Sequence, residues 1–116
     1  MQSIDPNLLD METVGNFVEM GTEVISSLVD LYIDNSTQEI QALSRHALAG
    51  NLDEIKKTAH SLKGASYNTG ANAMGMLCLQ IEKMTQEHNL EVTRDLVAQL
   101  PDLLEKTRLA FLQTYE

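Results

Sequence analysis

Apolar residues recur three and four positions apart from one end of this chain to the other, and no stretch alternates as a strand would. That spacing lines them up on one side of a 3.6-residue helix and predicts helices throughout. Ile25, Leu28, Tyr32, Ile40, Leu43 and Ala47 form the stripe of a long helix that starts at Thr22. Gly50 is placed to end it in a left-handed turn. Asn51-Leu52-Asp53-Glu54 then has the form of a capping box, a side-chain acceptor followed three residues on by glutamate. It opens a helix over about residues 52–68, which Gly70 closes. Met74, Leu77, Cys78, Ile81 and Met84 mark the next helix, from about Ala71 to Glu87-His88-Asn89. The last stripe, Leu96, Leu100, Leu103, Leu104 and Phe111, predicts a helix over residues 91–115.

Two places interrupt this pattern. Pro101 lies inside the last stripe, where it removes a hydrogen bond and crowds the preceding turn. Its position leaves open one kinked helix or two shorter ones that meet. At the other end, Asp5-Pro6 has the form of a helix start, an acidic cap followed by proline. A short helix through Leu8, Leu9 and Met11 follows, with Gly15 and Gly21 as breaks. The expected fold is all-α: an antiparallel four-helix bundle over about residues 22–115, with residues 5–20 as a short N-terminal capping helix. A length of 116 residues suits a single domain, so 1–116 is expected to act as one unit.

Composition narrows the function. With 43% hydrophobic and 22% charged residues, the chain has the make-up of a globular domain. A net charge of −9 repels nucleic acid and anionic membrane, so neither is an expected partner. No apolar run approaches the ~20 residues of a membrane span. The N-terminus lacks the basic start and apolar run of a signal peptide, and Cys78 is the sole cysteine. A reducing, cytoplasmic setting is the expectation. No His, Cys, Asp or Glu pair has metal-ligand spacing, and no Gly-rich nucleotide loop is present, so neither metal nor cofactor is expected.

Against this acidic background, Lys56, Lys57 and Lys63 bracket His60. At 100° per residue, Leu52, Ile55, Ala59, Leu62 and Ser66 make the core stripe of that helix. His60 lies roughly 130° from its centre, facing solvent. Lys56, Lys63, Gly64 and Tyr67 share its face. Such a histidine is most often part of a solvated face. Gly64 argues otherwise, because a helix gains nothing from glycine without a packing or docking reason. An exposed imidazole beside cations and a bare backbone patch suits a carried phosphoryl group, whose transfer depends on positioning and charge neutralisation. An ordinary imidazole ionises near pH 6.5, so part of it is neutral and nucleophilic at pH 7.

The stretch "AHSLKGASYNTGA", residues 59–71, resembles the signature of histidine-containing phosphotransfer (HPt) domains, the relay modules of two-component signalling. His60, Leu62, Lys63, Gly64 and Gly70 meet that pattern, and "AGNLDEIKK" before it and "LCLQIEKM" after it are similar to the family's surroundings. The resemblance implies that His60 accepts a phosphoryl group from a receiver-domain aspartate and passes it to another. It implies receivers and a hybrid sensor histidine kinase as partners, and a monomeric phosphoryl carrier without its own ATP-binding part. Lys63, with Lys56 and Lys57, would offset charge near the phosphate; Gly64 and Tyr67 would meet the docked receiver. Tyr67 and Thr69 depart from the pattern, which usually has a small and an apolar residue there. The competing readings are a helical interaction module that is never phosphorylated, and the phosphoacceptor domain of a chemotaxis-type kinase.

Overall fold

The structure, a computed structural model, describes residues 7–116. Six helices follow one another: α1 (Met11–Glu19), α2 (Thr22–Ala49), α3 (Leu52–Thr69), α4 (Asn72–Gln86), α5 (Leu90–Ala98) and α6 (Leu100–Tyr115). No strand occurs among the described residues. α2, α3 and α4 are three legs of an antiparallel four-helix bundle, and α5 with α6 makes the fourth, packed on α2 and α4. α1 caps the end of the bundle where α3 turns into α4.

Pro101 is resolved in favour of two helices. α5 ends at Ala98, Gln99 joins the segments, and Pro101 falls in the first turn of α6, where no intrahelical donor is needed. At the N-terminus the expectation shifts. The start read at Asp5-Pro6 lies outside the described residues, Leu8 and Leu9 precede the helix, and Asp10 is the cap of α1. The Asp10 carboxylate accepts from the Glu12 N–H (3.2 Å) and the Thr13 hydroxyl (2.9 Å). Gly15 lies inside α1 and breaks nothing, whereas Gly21 does separate α1 from α2.

The predicted stripes converge in one core, with Leu43, Ile55, Ala59, Leu62, Met74, Cys78, Ile81 and Leu100 fully buried. Ser66, the polar member of the α3 stripe, is satisfied by the Tyr32 hydroxyl of α2 at 2.6 Å. Burial pushes the Tyr32 hydroxyl up to about 12, so it stays protonated and able to hold that bond. The Tyr32 ring meets Phe111 of α6 edge to face, centroids 6.2 Å apart, which ties α2 to both neighbours.

The α3–α4 connection positions the site. Gly70 ends α3 with φ 93, and its carbonyl accepts from the Asp10 N–H at 2.8 Å. A Cβ on Gly70 would lie 2.7 Å from Val14 Cγ2, so α1 approaches too closely for any side chain there. Gly70→Ala therefore combines left-handed strain, roughly 1–2 kcal/mol, with a collision against the cap. We expect a loss of about 2 kcal/mol or more, read as a lower urea midpoint; an unchanged midpoint would show that the α1–α3 contact yields easily.

Candidate functional site

α3 begins at Asn51, whose side chain accepts from the Glu54 N–H at 3.2 Å. Only this half of the expected capping box forms. The Asn51 N–H donates instead to the His46 carbonyl, and the Glu54 carboxylate reaches Lys57 at 3.6 Å. With Ile55, Ala59, Leu62 and Ser66 buried, the rotation of α3 is set, and it turns His60 outward as its spacing predicted. The His60 side chain is 71% exposed.

The imidazole is nevertheless held. His60 Nδ1 lies 3.1 Å from Glu82 Oε2 on α4, and Lys63 Nζ lies 2.7 Å from Glu82 Oε1. One carboxylate thus joins two residues of the neighbouring helix. The Glu82 side chain is only 11% exposed. Burial alone would push its carboxyl up, but the bonds from Lys63 and His60 outweigh this and hold it below the usual range. An ionised carboxylate only accepts, so Nδ1 must donate. In the neutral ring the proton is then on Nδ1, and the Nε2 lone pair is left facing solvent.

Sequence reasoning missed Glu82. Its signal was present: His60 and Glu82 are equally distant from Ala71, the residue that caps α4. In an antiparallel helical hairpin, residues equally far from the turn face each other. The three lysines are placed unequally. Lys63 is bound to Glu82 with 21% of its side chain exposed, and Lys57 is solvated beside Glu54. Lys56 is exposed, and among the described residues it has no ion-pair partner. Lys56, Lys57, Asp53, Glu82 and His60 line one open recess of about 640 Å³. Gly64 stands exposed one turn from His60, and a Cβ there would meet nothing within 4 Å. Tyr67, two turns from His60, is 40% exposed and lies over Gly75 of α4.

On the flank toward α2, the Ser61 hydroxyl donates a long bond, 3.4 Å, to Glu39. Burial raises the Glu39 carboxyl above its usual range, and Ser61 offsets this only in part. No group of three or more His, Cys, Asp or Glu side chains that could hold a metal occurs among the described residues. Among them, too, no helix is long and apolar enough to cross a membrane.

A family model described as the Hpt domain matches residues 27–110. The phosphorelay protein LuxU of Vibrio vulnificus, in strains YJ016 and CMCP6, is 24% identical over 107 residues, covering 90% of this chain and 92% of LuxU. The crystal structure of histidine-containing phosphotransfer protein B (HptB) from Pseudomonas aeruginosa PAO1 superimposes with a TM-score of 0.85 at 25% identity, over 94% of this chain and 95% of HptB. A rice protein solved as a putative histidine-containing phosphotransfer protein shares the fold, with a TM-score of 0.82 at 22% identity and 94% and 81% coverage.

Glu82 makes stability depend on pH in a defined direction. Its folded carboxyl titrates below the ordinary value of 4.5, so its ionised form stabilises the fold above that value. The contribution is lost as pH falls through the lower, folded pKa. Glu82→Gln should therefore cost about 1–2 kcal/mol near pH 7, and the gap to wild type should narrow as pH falls below 4.5 and through the lower, folded value. Urea unfolding of both proteins across that range measures it. A gap that stays constant would mean that the carboxylate charge contributes nothing.

Proposed function

This chain belongs to the Hpt domain family, and on that premise we propose that His60 is its phosphoacceptor, reacting through Nε2. Its place as a histidine phosphotransfer intermediate of two-component signalling comes from the family and from relatives named as phosphorelay and phosphotransfer proteins. Proteins of this kind interact with receiver domains and kinases. The observation that carries the assignment to His60 is an exposed imidazole held by a buried carboxylate in the tautomer that frees Nε2.

In the proposed step, Nε2 attacks the phosphorus of an aspartyl phosphate on a receiver. The N–P bond forms, the P–O bond to the aspartate breaks, and the aspartate leaves as a carboxylate. The Nδ1 proton stays where it is, so the ring becomes cationic as its lone pair is drawn into the new bond. The Glu82 carboxylate, 3.1 Å away, offsets that charge. Lys63 keeps Glu82 ionised and adds positive charge beside the transferring group. Lys56 and Lys57, on the wall of the same recess, complete the neutralisation of the phosphoryl oxygens. The return reaction, to a second receiver's aspartate, retraces these steps.

Gly64 leaves helix backbone open for the receiver to approach, and Tyr67 borders the same surface. Within this reading the chain is one monomeric, cytoplasmic carrier unit fed by a hybrid sensor kinase, with no autokinase activity of its own.

His60→Gln should remain folded by circular dichroism and take up no phosphate from a receiver that labels the wild type. The wild-type adduct should be acid-labile and base-stable, as a phosphoramidate is. Label that persists in the variant, or survives acid, would place the phosphate elsewhere. Gly64→Gln should be as stable as wild type or more so, since glycine costs about 1 kcal/mol in a helix and a Cβ there meets nothing within 4 Å. Its rate of phosphate uptake should fall by about tenfold, equivalent to ~1.4 kcal/mol. An unchanged rate would remove Gly64 from the docking surface.

A further inference from the structure

We infer that Gly75, acting through Tyr67, sets the shape of the surface on which a receiver domain docks, and so helps to select the receiver. The inference rests on the proposed role of His60. It adds a specificity-determining residue on the helix opposite, where no motif points.

Tyr67 and Gly75 face each other across the α3–α4 hairpin, each four residues from Ala71. A Cβ on Gly75 would lie 2.6 Å from Tyr67 Cε1 and 2.8 Å from Cδ1 and Cζ, far inside ordinary carbon contact. The ring therefore rests against α4 in space that alanine would fill. Gly75 is buried, yet its backbone needs no glycine: it is not among the positive-φ residues and sits inside α4. Glycine there costs the helix about 1 kcal/mol relative to alanine. What it allows is the seating of Tyr67.

The seated ring lies within reach of any protein that docks over His60. A stable interface covers ~800 Å² of each partner, a disc of roughly 16 Å radius. Tyr67 is two helical turns from His60, roughly 10 Å along the axis, with Gly64 between them. A receiver that reaches His60 must therefore accommodate Tyr67. With the ring lowered onto α4, the path over Gly64 is clear; a raised ring stands in it. The occupant is a receiver domain because this surface is continuous with the one that presents His60.

Gly75→Ala tests the idea without disturbing the core. The three atoms nearest the new Cβ all belong to the Tyr67 ring, whose side chain is partly exposed, so the ring swings outward. The helix gains propensity, and the thermal midpoint should equal or exceed that of wild type. The probe is the receiver domain that, from a panel, binds the wild-type chain most tightly, with Kd measured by calorimetry for wild type, Gly75→Ala, Tyr67→Ala and the double variant. Gly75→Ala should weaken binding at least fivefold, and the same change in the Tyr67→Ala background should weaken it less than twofold. If Tyr67→Ala fails to fold, Tyr67→Leu takes its place. A Gly75→Ala Kd within twofold of wild type would overturn the inference, as would an equal loss in both backgrounds. Phosphate uptake on His60 is scored separately on the wild type, so a failure of the phosphoacceptor assignment would show there and not in these affinities.

Discussion

The reversal of the chain between α3 and α4 governs the face that carries His60. Gly70 adopts a left-handed conformation that ends α3, and Ala71 immediately caps α4, so the two helices lie side by side along their length. The same turn receives α1, through the bond from Asp10 and the contact with Val14. Glu82 lies opposite His60, and Gly75 opposite Tyr67, only because this register is held. A slip of one residue in α4 would rotate its side chains by about 100° and carry the carboxylate away from the imidazole.

Within that register a single carboxylate does two opposed things. Taking Glu82 out of water is unfavourable, and Lys63 makes it tolerable by pairing with it at 2.7 Å. The second oxygen is then available to His60, which stays in solvent while one of its nitrogens is fixed. In the proposed transfer, reactivity and order fall to the two edges of one ring. Nδ1 is held by Glu82, and in the proposed transfer Nε2 is the nitrogen offered to the partner. Lys63, which the motif alone would aim at the phosphate, is first of all the ion-pair partner of Glu82.

Much of this was legible in the residues. Apolar spacing placed the bundle helices, the glycines at 50 and 70 placed their ends, and the core stripe of α3 turned His60 outward. What escaped was set by contacts between helices. Glu82 sits in a helix recognised by its apolar residues, where a glutamate looks like part of a solvated face. Its burial is decided by what α3 brings to it. The seating of Tyr67 escaped for the same reason, since it needs the missing side chain of Gly75. The fork at Pro101 could not be settled by local rules, which allow a kink or a fresh start. The α1 boundary moved because Asp10 could bond both its own first turn and the Gly70 carbonyl.

The unequal burial of the charges around His60 divides them by their response to dissolved ions. Lys56 and Lys57 extend into water, where their field fades beyond a Debye length of about 10 Å at ordinary salt. Lys63 and Glu82 are mostly covered, at 21% and 11% exposure, and salt reaches them weakly. Rising ionic strength should therefore weaken the field of Lys56 and Lys57 while leaving the Lys63–Glu82 pair, and with it the hold on the imidazole, nearly unchanged. The field around His60 is thus set partly by the medium, and the order of its ring by the protein's own interior.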